Sequence, residues 1–254
     1  MRADIGLAQG HLDQNKAAWQ HRAYEYFVRT YGEPAEEAAR IRSDPMHTLR
    51  LHRPYLPDIS GLRIANPCGS HGRIATALAL LGAKVTIFDI SAENRRYAMA
   101  LSAAAGVSIE YIVGDFCSLD RNAHAGAFDL VLAELGILHY FHDIDRFMET
   151  VAMLLRDKGT FLLSDFHPLR KALSIPETGG DYFDQAIHES PVAYQRFFAD
   201  DEQAAFPSCS LRYYTLSDIL NATLRAGLTL RAFDEHPDWD DKKLPGYYHL
   251  VAAK

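Results

Sequence analysis

Arg63-Ile-Ala-Asn-Pro-Cys-Gly-Ser-His-Gly72 runs directly into Arg73-Ile-Ala-Thr-Ala-Leu78. Leu62 to Ala65 reads as a strand, the residues after it as a tight turn of small side chains, and Gly72 to Leu81 as an Ala/Leu-rich helix closed by Gly82. Small residues let a backbone approach a ligand closely. The start of a helix adds N–H groups without helical partners and the positive end of the helix dipole. A carboxylate or a phosphate suits that position. Seventeen residues beyond Gly72, the next strand, Lys84 to Asp89, ends in an acid. An acidic residue at the tip of the second strand is placed to accept hydrogen bonds from both ribose hydroxyls of a nucleoside. Turn and acid together predict a nucleoside-containing cofactor. The alternative is a tight turn and a helix-capping Asp in an unrelated α/β fold.

Outward from this unit, short strands and helices alternate. Ala92 to Ala105 reads as a helix, with Ser91 as its cap and Gly106 as its stop. Ser108 to Val113, Phe128 to Ala133 and Gly159 to Leu163 read as strands, with a helix over Ile144 to Leu155 between the last two. Thr215 caps a helix over Leu216 to Ala226. Leu228 to Phe233 and Tyr247 to Ala252 form a closing hairpin around a polar loop, His236 to Gly246. Such alternation implies parallel strands joined by right-handed crossovers, with helices on both faces. The expected fold is therefore α/β: a seven-stranded mixed sheet, mostly parallel, with a C-terminal antiparallel hairpin.

Two segments stand outside that rhythm. Residues 1–60 read as a helical cap on the domain formed by 61–254. Leu12, Lys16, Trp19, Ala23, Tyr26, Phe27 and Thr30 recur at helical spacing as one stripe, Pro34 opens a short helix Ala35 to Arg42, and a third piece covers Met46 to Leu56. Residues 166–212 carry six Pro or Gly residues among many aromatics, which marks an inserted lid. Within it, Val192 to Phe198 and Ser210 to Tyr214 are candidate paired strands.

The chain has 254 residues, 48% of them hydrophobic and 23% charged, enough for one substantial core. Met1 to Gly10 lacks the pattern of a secretory signal, and Ile74 to Phe88, broken by Gly82 and Lys84, is too short to cross a bilayer. Cys68, Cys117 and Cys209 are odd in number and widely spaced, as in a reducing compartment. A cytoplasmic protein without a membrane partner is expected. The formal net charge of −7 and the lack of a basic cluster argue against nucleic acid as partner.

The turn resembles motif I of class I S-adenosylmethionine (SAM) dependent methyltransferases, an acid followed by Gly-x-Gly-x-Gly. Asn66 stands at the acidic position, and Cys68, Ser70 and Gly72 at the three glycines. Val113-Gly-Asp-Phe116 resembles the third-strand motif, and Phe128 to Tyr140 the fourth strand and the Leu-His step after it. Gly159-Thr-Phe-Leu-Leu-Ser164 resembles the fifth strand, and Leu244 to Lys254 the closing strand of small-molecule members. The resemblance runs from about residue 12 to the C-terminus. It implies SAM as cofactor and S-adenosylhomocysteine (SAH) as product. It places the cofactor on Asn66, Cys68, Gly69, Ser70 and Gly72, on Asp89 and Ile90, on Gly114, Asp115 and Phe116, and on Glu134, Leu135 and Gly136.

The implied reaction moves a methyl group to nitrogen or oxygen of a small-molecule acceptor. Displacement at a sulfonium methyl needs positioning more than a fixed catalytic signature. A base matters only where the acceptor must lose a proton. His139, Tyr140 and His167 follow the fourth and fifth strands, where ligands collect, and are the candidate catalytic residues. The alternative reading packs His139 beside the cofactor and uses His142-Asp143 to cap a helix. Trp19, Tyr24, Tyr26, Tyr182, Phe183 and Tyr213 are the candidate acceptor-binding aromatics. The His139-x-x-His142-Asp143 run is permissive for metal but not diagnostic, and no metal is expected. Two rival functions remain: an NAD(P)-dependent oxidoreductase, disfavoured because its fingerprint is Gly-x-Gly-x-x-Gly, and a SAM-binding module without turnover. A monomer or homodimer is expected.

Overall fold

The computed structural model describes residues 2–174 and 179–254. Four helices precede the first strand: α1 (Arg2–Gln20), α2 (Ala23–Tyr31), α3 (Pro34–Ser43) and α4 (Pro45–Thr48). The single apolar stripe expected from Leu12 to Thr30 is broken, because Arg22 takes a left-handed conformation with φ 55°. Neither Gly nor Pro marks the break. The Tyr194 hydroxyl does, donating to the carbonyls of Ala18 and His21 at 2.8 and 2.7 Å and satisfying the end of α1. The expected helix over Met46 to Leu56 reduces to α4 and a 3₁₀ turn at Arg53–Tyr55. Pro54 cannot supply the N–H that a continuous helix needs and pushes Arg53 away from helical geometry.

The chain forms two compact units, Met1–Phe116 with Glu189–Ser210, and Cys117–His188 with Leu211–Lys254. In the first unit β1 (Arg63–Pro67), β2 (Lys84–Asp89) and β3 (Glu110–Val113) are parallel, with Ile64 opposite Val85 and Ile87 opposite Tyr111. Helices α5 (Arg73–Leu80) and α6 (Ala92–Ala105) make the crossovers. Ser91 caps α6 by accepting from Asn94 N at 3.1 Å, and Gly106 ends it in the left-handed region at φ 77°.

In the second unit β4 (Phe128–Glu134) runs parallel to the twelve-residue β5 (Leu155–Phe166). Strand β5 pairs antiparallel with β9 (Pro245–Ala253), and β9 antiparallel with β8 (Thr229–Pro237). Helices α7 (Arg121–His124), α8 (Ile144–Leu154), α9 (Pro168–Ser174) and α11 (Leu216–Arg225) complete it, α11 capped by Thr215 through Asp218 N at 3.1 Å. The sheet order is β3-β2-β1-β4-β5-β9-β8, the mixed seven-stranded arrangement that the alternation implies.

Strands β6 (Ile187–Pro191) and β7 (Ser208–Arg212) pair in a small second sheet, and the short helix α10 (Asp200–Gln203) lies between them in sequence. The expected strand over Val192 to Phe198 is a turn, with Gln195 N bonded to Val192 O and a 3₁₀ segment at Gln195–Phe197. Tyr194 causes the difference, since its ring is 1% exposed and its hydroxyl is tied to α1. No helix of the described residues is long and apolar enough to cross a membrane.

Candidate active site

The turn after β1 keeps the backbone of a glycine loop with few glycines. Cys68, Ser70 and Gly72, the positions resembling the three motif glycines, have φ of 52°, 47° and 74°. Left-handed geometry costs an L-residue about 1–2 kcal/mol, so two short side chains are strained here. Cys68 N donates to Phe88 O at 2.7 Å, Gly72 N to Gly69 O at 2.9 Å, and the Tyr111 hydroxyl to Ser70 O at 3.0 Å. A Cβ on Gly72 would lie 2.6 Å from that of Ala98, so glycine there lets α5 approach α6. A Cβ on Gly69 would strike the side chain of the fully buried Asn66. Asn66, expected at the cofactor, thus also packs under its own turn.

Asp89 is 5% exposed. Its Oδ2 accepts from Ser70 N at 3.0 Å, and its Oδ1 from Ser91 N at 2.8 Å and Asn94 Nδ2 at 3.2 Å. One carboxylate therefore ties the turn to the start of α6. Burial pushes its pKa up to about 6, against the pull of the Ser91 and Ser70 amides, Asn94 and Tyr111. An ionised carboxylate has roughly four acceptor positions, of which three are filled, leaving capacity near one hydroxyl rather than two. Ile90 is half-buried beside it, and Gly114 N donates to Asp89 O at 2.9 Å. Asp115 is half-buried, while the Phe116 ring is 3% exposed and meets Phe88 edge-on at 6.1 Å.

These residues fit SAM better than a dinucleotide. Arg73 is the cation at the turn, and Glu37 of α3 holds it, Nε to Oε1 2.5 Å, beneath the ring of Tyr31 at 4.5 Å. A paired guanidinium has little charge left for a pyrophosphate. His71, within the turn, lies 5.0 Å from Phe27 and 4.8 Å from Tyr31, and burial with nearby Arg73 lowers its pKa to about 3. The turn carries small side chains, a neutral imidazole and an acid next door. That set suits a sulfonium nucleoside with an amino-acid tail.

The aromatics of α1 and α2 are engaged within this unit. Tyr26 stacks on Tyr194 at 4.9 Å, Trp19 meets Tyr194 edge-on at 5.5 Å, and Tyr24 meets Tyr97 at 5.6 Å under Arg96. The Trp19 carbonyl accepts from Ser91 Oγ at 2.8 Å. Their contacts join the N-terminal helices to α6 and to the inserted segment.

In the second unit Asp165, near the end of β5, organises the loop after β4. Its carboxylate accepts from the amides of Gly136 (2.6 Å), Ile137 (3.3 Å), Leu138 (3.0 Å) and Phe166 (2.7 Å). Four donors fill its acceptor capacity and fix the loop, while burial pushes its pKa up against them. Glu134, Leu135 and Gly136, the expected cofactor residues here, enter this loop half-buried. Gly136 has φ 82°, and a Cβ there would lie 2.9 Å from the ring of Phe166.

Beside this loop is a cleft open to solvent. Leu138, His139, Asp165, Phe166, Pro168 and Lys171 line one part, and Tyr213, Tyr214, Ile219 and Tyr248 the rest. His139 is held well below the usual imidazole range by burial and then by Lys171, so it is neutral. Among the described residues no hydrogen bond holds either of its ring nitrogens. Lys171 is lowered to about 8, by burial more than Asp165 restores. Its Nζ lies 4.9 Å from the Phe166 ring and 5.8 Å from that of Tyr213.

The other expected catalytic and acceptor residues are placed differently. Tyr140 stacks at a tilt on His139, 4.2 Å away, and is absent from the cleft lining. His167 Nδ1 accepts from Leu169 N at 3.1 Å, and its Nε2 lies 2.9 Å from Glu235 Oε1 without hydrogen-bond geometry. His142 gives its carbonyl to Arg212 at 2.7 Å, and Asp143 caps α8 by accepting from Arg146 N at 3.0 Å. The Tyr182 hydroxyl accepts from Leu216 N at 2.8 Å, and Phe183 is 74% exposed. Of the expected acceptor aromatics only Tyr213 lines the cleft. Lys171 escaped the sequence reading. Its one signal was a lysine a turn into a helix opened by Pro168, among aromatics. Among the described residues no three His, Cys, Asp or Glu side chains are grouped to hold a metal ion.

Residues 67–163 match the family described as "Methyltransferase domain". A ubiquinone biosynthesis O-methyltransferase of Xanthomonas campestris is 28% identical over 170 residues, 64% of this chain and 69% of that protein. A putative SAM-dependent methyltransferase from Listeria monocytogenes superposes with a TM-score of 0.64 at 18% identity, covering 82% of this chain and 98% of that one. Magnesium protoporphyrin IX methyltransferase from Synechocystis PCC 6803, with SAH bound, gives 0.58 at 16% identity over 93% and 95%. At such identities the structural likenesses establish the fold.

Proposed function

From a chain whose residues 67–163 match a methyltransferase family, we propose a class I SAM-dependent methyltransferase that methylates nitrogen or oxygen of a small-molecule acceptor seated in the cleft of His139, Lys171 and Tyr213. The observation that carries this reading is the cleft itself. Its walls, aromatic rings with one lysine and one histidine among them, suit a flat small-molecule group that carries few polar atoms. The small-molecule O-methyltransferase named among the relatives supports the same substrate class.

Cys68, Gly69, Ser70 and Gly72 would receive the amino-acid end of SAM, and Asp89 a sugar hydroxyl. When bound, the cofactor supplies an electrophilic methyl group whose C–S bonding pair stays on sulfur. The chain positions the acceptor, excludes water, and handles a proton where the acceptor carries one. A screen with methyl-labelled SAM over a metabolite panel tests this. Label in small phenols, hydroxy acids or amines is expected. Label confined to protein or RNA would overturn it.

A further inference from the structure

The cleft contains two polar groups without hydrogen-bonding partners among the described residues. One is the Tyr248 hydroxyl, on a side chain 0% exposed. The other is Lys171 Nζ, which meets only ring faces and the field of Asp165. A buried donor or acceptor left unmade costs about 1–3 kcal/mol, so the Tyr248 hydroxyl marks a position where a ligand's polar atom belongs, and the half-buried lysine ammonium stands in the same cleft. Flat groups surround them. Tyr213 lies at 31° to His139 and 33° to His188, with centroids 6.2 and 5.8 Å away.

Charge decides which ligand. Asp165 is the carboxylate facing Lys171, and four amides already hold it. Arg170 beside the lysine is paired with Asp238, while His139 is neutral and the Tyr214 and Tyr248 phenols are pushed well above their ordinary range by burial. An acceptor amine would arrive as an ammonium facing Lys171, and the carboxylate in the cleft lining, Asp165, is already held by four amides. An acidic hydroxyl is favoured instead, since a neighbouring cation lowers its pKa.

Resting on the methyl-transfer reading above, we propose that Lys171 is a catalytic residue that takes the proton of an acidic hydroxyl, a phenol or enol, on a planar acceptor. The O–H bond breaks with its electron pair left on oxygen, and the proton forms a fourth bond to Nζ, giving an ammonium paired with the oxyanion. A lysine lowered to about 8 has the neutral form available for this near neutral pH.

The test uses the full chain with Lys171→Met and Lys171→Arg, checked for SAH binding. Para-nitrophenol is titrated into each and its ionisation read by absorbance, independently of turnover. Methyl transfer is then measured on phenols of graded acidity, amines and carboxylic acids. Wild type is expected to ionise para-nitrophenol on binding, and Lys171→Met is not. Lys171→Met should lose about 100-fold in kcat/KM on weakly acidic phenols, within the usual span for a positioned base, and recover on phenols already ionised. Lys171→Arg should hold the phenolate yet lose the inflection near 8 in the pH profile. Equal ionisation by wild type and Lys171→Met would overturn the proposal. So would transfer to amines or carboxylic acids alone, with the broader methyl-transfer reading left standing for amines. Should wild type label only macromolecules, that broader reading fails, and the absorbance titration still decides the role of Lys171.

Discussion

The turn proposed to hold the cofactor and the cleft proposed to hold the acceptor encode their chemistry in opposite ways. The turn is local: residues 66–72 and Asp89 act through backbone conformation and amides, so the demand is for small size and positive φ, which Cys68 and Ser70 meet although they are not glycine. The cleft is non-local. Residues 138–139, 165–171, 213–219 and 248 supply its walls, and no two of those segments are adjacent in sequence. A site built from backbone can be read from one stretch, whereas a site built from converging side chains needs the fold first.

That contrast can be attacked at its supports. Asp165→Ala should have the largest effect, because it leaves four amides without their acceptor. At about 1–3 kcal/mol for each buried unsatisfied donor, less what water recovers, a loss of ~3 kcal/mol or more is expected in denaturant unfolding. A loss under ~1 kcal/mol would mean the loop after β4 holds itself and the cleft is less dependent on its carboxylate. Gly72→Ala comes next. Its φ of 74° and the 2.6 Å approach to Ala98 should cost about 2–3 kcal/mol and weaken SAH binding, read by thermal melting with and without ligand.

Protonation offers a gentler probe. Asp89 has a folded-state pKa raised to about 6 from 3.8, so its contribution to folding is full below the lower value and is lost as pH rises through the higher one. A hydroxyl donor needs the ionised form, so SAH affinity should move the other way. It should fall about tenfold between pH 7 and pH 5, the fraction ionised setting the scale. Calorimetry at several pH values checks this, and a flat profile would place the sugar elsewhere. Ser70→Gly should matter least. Relief at φ 47° is offset by the unfolded-state entropy of glycine, so stability should change by less than about 1 kcal/mol. A large loss of binding would show that the serine side chain, and not the backbone, serves the cofactor.

Much of the fold was legible in the sequence because period and punctuation coincide in its centre. Gly72, Gly82 and Gly106 end or open elements where expected, and Ser91 and Thr215 cap the helices after them. Two of the misreadings share a cause, a contact between segments far apart in sequence: the Tyr194 hydroxyl meets the carbonyls of Ala18 and His21, more than 170 positions away, where the N-terminal helix breaks and Val192 to Phe198 turns instead of extending. The third, at Met46 to Leu56, is local and belongs to Pro54. At the candidate site the turn and Asp89 are brought together, Asp89 Oδ2 accepting from Ser70 N, as expected for an acid at the tip of the neighbouring strand. Lys171 could not be named in advance, because its environment is made by Phe166, Tyr213 and Asp165, and a lysine on a helix is ordinarily solvated. Asp165 and His167 lie two residues apart, and only hydrogen bonding separates the organiser of a loop from a histidine that accepts from Leu169 N.

The most direct measurement is SAH titration, by calorimetry, into wild type, Asp89→Ala and Lys171→Met together. The account predicts that Asp89→Ala weakens binding by roughly 1.5–3 kcal/mol, about 10- to 150-fold, while Lys171→Met stays within about threefold. Unchanged affinity in Asp89→Ala, or an equal loss in Lys171→Met, would contradict the assignment of cofactor to the turn and acceptor to the cleft.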